Sequence, residues 1–313
     1  MTATEHESPE ARARGEAEVE AAFAAMKAQA EAPRQGTPFL VLQFFVFPMS
    51  IVAVCVLVFV VFGLIAAEGK GARAYLDEVR TGSANRRWQA AFELSKVLQA
   101  GKDPALREAA FVDELVRTFQ DSTRDDPRVR RYLALALGRL GDRRAVPALR
   151  EAARGGEGAD AEAQVYAVWA LGALADAAAV PDLLALARGG DPGLRKAAVH
   201  ALGAFSDAQS AEALAAAAGD EVTDVRWNAG LALGRRGDPR ATPVLAQMLD
   251  RARLAGVAGI SAEQQEAALL EACRVAASLP GDSLRPALES LRAADPSPRV
   301  REAARAALEP AAR

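Results

Sequence analysis

Four heptapeptides in this chain can be laid over one another: ALGRLGD at 136–142, ALGALAD at 170–176, ALGAFSD at 201–207 and ALGRRGD at 232–238. Their first glycines, Gly138, Gly172, Gly203 and Gly234, are spaced 34, 31 and 31 residues apart. Self-similarity at a period of this length marks a stacked array, in which one small unit cannot bury its apolar face without a neighbour. Upstream of the heptapeptide an acidic turn opens a helix, as Asp126-Pro127, as Asp191-Pro192 and over Glu221 to Asp224. Aspartate caps a first turn and proline suits the first helical position. Behind each heptapeptide follows a short apolar segment, AVPALREAA, AVPDLLALA, SAEALAAAA or ATPVLAQML. Each unit therefore reads as two antiparallel helices.

Weaker copies extend the array both ways. RRWQAAFELSKVLQ at 86–99 matches a second helix, with Arg87 and Ser95 in the Arg and Gly places. EQQEAALLEACRVAASLPGD fits with Ser278 in the Gly place, 44 residues after Gly234, so about 13 residues are inserted around RARLAGVAGIS. DPSPRVREAARAALEP closes the array as a terminal cap with Arg301. About seven helix pairs lie between Ala72 and Leu308. The composition agrees: close to a quarter of the chain is alanine and only 5% is aromatic, which suits closely packed helices better than strands.

The motif Asp-Pro-x-Val-Arg followed by Ala-Leu-Gly-x-x-Gly-Asp resembles HEAT-like repeats of the phycobilisome-lyase type. The resemblance covers about three quarters of the chain and implies an all-α fold, a right-handed α-solenoid whose second helices line the concave surface. It says little about activity, because function lives in sites grafted on a fold.

The register assigns faces. Counting back from the motif glycine, positions −1, −2, −5 and −9 fall on one side of a helix and hold Leu137, Ala136, Leu133 and Val129 in one unit, Leu233, Ala232, Ala229 and Val225 in another. That is the expected core. Position −8 carries Arg87, Arg130, Arg195 and Arg226, with gaps at Gln164 and Leu270, and Arg301 repeats it in the cap. The resemblance implies that these arginines are structural and bond across to neighbouring repeats. Positions −3 and −7 lie opposite the core and hold Phe92 with Trp88, Leu135 with Arg131, Trp169 with Val165, His200 with Lys196, and Leu231 with Trp227. All three tryptophans of the chain fall on this stripe. Tryptophan anchors are enriched at interface hot spots, so the stripe is the expected partner-binding site.

Two segments precede the array. Residues 1–37 carry seven acids against four bases and read as an acidic, largely disordered tail, with a possible docking helix from Glu16 to Ala32 that spaces Val19, Phe23 and Met26 along one side. From Gln35 to Ala67 there is no charged residue, and residues 38–67 read as a transmembrane helix, since about 20 apolar residues span a bilayer core. Two bases precede this run closely (Lys27, Arg34) and five follow it (Lys70, Arg73, Arg80, Arg86, Arg87), which predicts an inner-membrane, single-pass protein with a cytoplasmic solenoid.

Residues 68–313 hold 34 acids and 34 bases, without the basic excess of a nucleic-acid binder. There is no Walker-type loop, no His-Glu-x-x-His and no Cys-x-x-Cys. Only His6 and His200 offer imidazoles, and Cys55 and Cys273 lie in unrelated contexts. The sequence therefore predicts no catalytic, metal or cofactor site. It predicts a non-enzymatic scaffold or regulatory subunit that binds protein partners, subunits of a membrane complex, on the concave face. The alternative is a lyase-like enzyme or cofactor chaperone on the same fold.

Overall fold

A computed structural model describes residues 9–30, 46–66, 70–156 and 159–309. It divides into two compact units, Met1–Gly69 and Lys70–Arg313.

Among the described residues the first unit contributes two helices, α1 (Pro9–Ala30) and α2 (Phe47–Ala66). The Ala- and Glu-rich composition favours helix over 22 residues of the tail that was expected to be largely disordered. Val19, Phe23 and Met26 are exposed along it. The expected membrane span fares differently. Residues 38–45 lie outside the described residues, and α2 starts at Phe47 with Pro48 in its first turn, where a missing N–H costs nothing. No helix among the described residues is long and apolar enough to cross a membrane. That finding overturns the expected transmembrane helix, the single-pass inner-membrane location and the cytoplasmic orientation, and leaves the membrane complex as partner without support.

The second unit is all helical. Its helices pair in chain order: α3 (Ala72–Thr81) with α4 (Ala84–Ala100), α5 (Ala109–Asp121) with α6 (Pro127–Leu140), α7 (Val146–Arg154) with α8 (Ala161–Leu174), α9 (Val180–Ala187) with α10 (Pro192–Leu202), and α11 (Ala208–Ala217) with α12 (Thr223–Arg235). Then α13 (Thr242–Met248) pairs with α15 (Ala262–Ala276) across the inserted α14 (Arg251–Ala255), and α16 (Arg285–Ala294) with α17 (Pro298–Leu308). Successive second helices pack along their length, whereas successive first helices touch only in part. Closer spacing in one layer bends an array towards that layer.

The heptapeptide explains the close spacing. A Cβ added to Gly138 would lie 2.8 Å from the Cα of Ala170, and one on Gly172 2.8 Å from the Cα of Ala201. On Gly203 it would lie 3.2 Å from the Cβ of Ala232. The glycine of one unit thus receives the alanine two places before the glycine of the next. Ala-Leu-Gly places a donor knob, a core leucine and an acceptor hollow on one turn. Leu137, Leu171, Leu202 and Leu233 are fully buried beside it.

The end of the heptapeptide turns the chain. Gly141 and Gly237 take left-handed backbone (φ 77 and 70). Asp142, Asp176, Asp207 and Asp238 then accept the N–H of Arg144, Ala178, Ser210 and Arg240 at 2.9–3.0 Å and cap the following helical turn. In the second copy Ala175 stands where the first and fourth have glycine and the third has Ser206, and it is the only non-glycine with positive φ (47) among the described residues. Left-handed backbone costs an L-residue about 1–2 kcal/mol, and glycine returns about 0.4–1 of that as unfolded-state entropy. Ala175→Gly is therefore expected to stabilise the array by about 0.5–1 kcal/mol, a rise in Tm of about 2–3 °C by calorimetry.

The first-helix layer is held differently. Arg73 pairs with Glu108 and Arg80 with Glu114, Arg144 with Asp113, Arg150 and Arg154 with Asp182, and Arg240 with Glu212. These pairs run between consecutive first helices or the turns that open them, so much of the array's charge is paired within it.

Candidate protein-binding face

The core positions read from the register are buried, from Val129, Leu133, Ala136 and Leu137 to Val225, Ala229, Ala232 and Leu233. So are positions −4 and 0, as Ala134 and Gly138, because each second helix packs on its own first helix and on both neighbours. The buried arc is therefore wide and lopsided. Exposure centres on positions −3 and −10, about 30° round the helix from the expected stripe centre.

This shift separates the ten stripe residues. At −3, Phe92 and Trp169 are each 38% exposed, His200 is exposed, and Leu135 and Leu231 are half-buried. Position −7 leans onto the next unit. Arg131 pairs there with Asp160 at 2.7 Å and with Glu162, and Lys196 with Asp224 at 2.6 Å. Trp88 is half-buried with the Arg128 guanidinium of the next second helix 4.5 Å over its ring. Trp227 is half-buried against the core, and Val165 is half-buried. Of the three tryptophans, Trp169 is the exposed one.

Position −6 leans the other way and brings in two residues that the sequence reading passed over. The Tyr132 ring meets Phe92 of the preceding second helix edge-on at 5.1 Å, and Tyr166 meets Tyr132 at 6.4 Å. Trp169 lies over Gly138, where the missing side chain makes room for its ring. Phe92, Tyr132, Leu135, Tyr166 and Trp169 thus form one row across α4, α6 and α8. Two of the chain's three tyrosines at equivalent positions were the available signal.

The −8 residues do something simpler than bridging repeats. Arg87 donates to Val79 O (2.5 Å), Arg130 to Phe119 O (3.1 Å), Arg195 to Gly189 O and Gly190 O (3.1 and 3.0 Å), Arg226 to Asp220 O and Glu221 O (2.7 and 2.8 Å), and Arg301 to Asp295 O (2.6 Å). Gln164 reaches Ala153 O at 3.5 Å in the same way. Each ties down carbonyls left open where the first helix of its own pair ends, a site that favours positive charge. Only Arg87 and Arg195 also reach the next unit, at Asp125 and Asp220. The expected cross-repeat bonding therefore describes two of the five, and Arg130, Arg226 and Arg301 bond within their own pair.

Guanidinium hydrogen bonds from Arg144, Arg131 and Arg240 hold the Asp142, Asp160 and Asp238 carboxyls below their ordinary value of 3.8. Groups whose pKa is lower folded than unfolded add stability that is complete above the unfolded value and is lost as pH falls through the folded one. Tm is expected to hold from about pH 7 to 5 and to fall below about pH 4; a thermal scan that stays flat to about pH 3 would contradict this.

Several clefts open on the unit. One of about 360 Å³ is lined by Asp125, Arg130, Glu151, Asp160 and Gln164. Another, about 690 Å³ and largely apolar, runs along Leu270, Cys273, Ala303 and Ala307. Burial raises the Cys273 thiol to about 11, which keeps it protonated and unreactive at neutral pH. Among the described residues no cluster of His, Cys, Asp or Glu is placed to hold a metal ion.

Comparison with known proteins agrees with this geometry. The model of HEAT repeats matches residues 155–224 and 191–264, and that of the PBS lyase HEAT-like repeat matches residues 129–155. HEAT-like repeats are thus found over residues 129–264 of the array. Among solved structures, a chain of the complex of CpcE and CpcF of phycocyanin lyase from Nostoc sp. PCC7120 is 23% identical, with TM-score 0.51 over 77% of this chain and 96% of that one. Human deoxyhypusine hydroxylase in complex with glycerol is 20% identical, with TM-score 0.31 over 76% and 94%. A designed armadillo repeat protein is 17% identical, with TM-score 0.35 over 76% and 98%. No curated protein matches the sequence significantly. The phycocyanin lyase likeness shows a shared HEAT-repeat fold.

Proposed function

We propose that the HEAT-repeat array is a scaffold or regulatory subunit that binds a protein partner on the exposed face of its second helices, centred on the row from Phe92 to Trp169. The exposed Trp169 carries this reading. An indole left 38% open on a face whose acids and bases are largely paired offers a desolvatable anchor. The similar phycocyanin lyase chain is part of a complex of two proteins, CpcE and CpcF, in keeping with a partner-binding role for this fold. A lyase-like enzyme or cofactor chaperone is the second reading, and it rests on the same likeness. Affinity capture with the full chain, followed by hydrogen exchange of the complex, separates the two. Protein binding predicts a colourless complex with protection in α4, α6 and α8. A bound chromophore, or protection confined to the first-helix layer, would overturn it.

A further inference from the structure

We infer that the row from Phe92 to Trp169 takes an uncharged, proline-rich segment in the polyproline II conformation, lying across the second helices; this rests on the proposed protein-binding role. Phe92, Leu135 and Trp169 occupy one equivalent position on three consecutive second helices. Such positions repeat at the helix spacing, about 8–10 Å. Polyproline II advances about 3.1 Å per residue with three residues per turn, so one of its faces repeats about every 9.3 Å. A strand presents one face about every 6.7 Å and an α-helix has a pitch of about 5.4 Å, and neither keeps step with the row.

Charge points the same way. Lys96 pairs with Glu93 at 2.9 Å, Arg128 with Asp126 at 2.6 Å, and Arg131 with Asp160 and Glu162. Three bases bordering the row are thus neutralised by acids of this chain and the fourth, Arg139, is held by the Ser95 carbonyl and hydroxyl at 3.0 Å, so a neutral ligand complements the row better than a charged one. Proline rings stack on aromatic faces and lose little entropy on docking, because their backbone is already fixed. The Tyr132 and Tyr166 rings, half-buried between the helices, carry hydroxyls of the kind that donate to the carbonyls a proline segment leaves unpaired.

The test is calorimetric titration of the full chain with an uncharged proline-rich peptide of about twelve residues, four turns of polyproline II, beside an amphipathic helical peptide of equal length. The proline peptide is expected to bind, with little salt dependence. Trp169→Ala should weaken it about thirtyfold and Trp169→Phe much less, with melting unchanged in both. Absence of binding by the proline peptide, or binding indifferent to Trp169→Ala, overturns the inference. Preference for the helical peptide on the same residues overturns it too, yet leaves the protein-binding role standing. That role fails separately if the native partner is captured equally well by Trp169→Ala.

Discussion

Gly172→Ala should destabilise the array by about 2 kcal/mol, although alanine is the better helix former by about 1 kcal/mol. The new Cβ would sit 2.8 Å from both the Cα and the Cβ of Ala201, and neither is the movable end of a side chain. Forcing an extra methyl into a packed contact costs about 1–3 kcal/mol, and a clash with backbone belongs at the upper end. Relief requires α8 and α10 to separate, which opens the core beneath Leu171 and Leu202. Tm should fall by about 4–8 °C. Gly190→Ala is the control, since nothing lies within 4 Å of a Cβ there. If the two variants melt alike, close approach of the second helices is not what the Ala-Leu-Gly motif provides.

A larger loss is expected from Arg251→Ala. Arg251 donates twice to Asp295, at 2.6 and 2.8 Å, and ties the inserted α14 to the turn between α16 and α17. The Asp295 side chain is 1% exposed, so the variant leaves a carboxylate in the interior with the Ser297 N–H at 2.9 Å but without its cation. Breaking a buried pair from one side costs about 3–5 kcal/mol. The open end of Arg251 places this pair at about 3 kcal/mol, or about 6–12 °C in Tm. Arg253→Ala, at an exposed position on the same helix, should stay within about 0.5 kcal/mol. Equal behaviour of the two would mean that the insertion is not anchored through Asp295.

The sequence made the seven pairs and their core positions legible because the heptapeptide is a packing device. Its Leu, Ala and Gly recur wherever one second helix meets the next. The face beyond the core was harder to read. A helical wheel treats the core as one direction, whereas a second helix in a stack is covered from three. Position −7 therefore turns out to serve the next unit, through Arg131 with Asp160 and Lys196 with Asp224. Trp88 and Trp227 follow it into partial burial for the same reason. Tyr132 and Tyr166 were missed because −6 points to the side in one helix and becomes surface only when the neighbour is in place. The −8 arginines misled through their regularity. A repeated cation suggests a ladder between units, yet each unit also repeats the open carbonyls at the end of its first helix.

Partner affinity and melting of Trp169→Ala, measured on the same preparation of the full chain, test the central claim most directly. The account predicts a loss of about 2 kcal/mol in partner binding, near thirtyfold, with stability changed by less than about 0.5 kcal/mol. Trp227→Ala, half-buried on the core, should show the reverse and lose about 2–3 kcal/mol of stability. Unchanged partner affinity in Trp169→Ala, or a melting loss as large as that of Trp227→Ala, would contradict a binding face on the second helices.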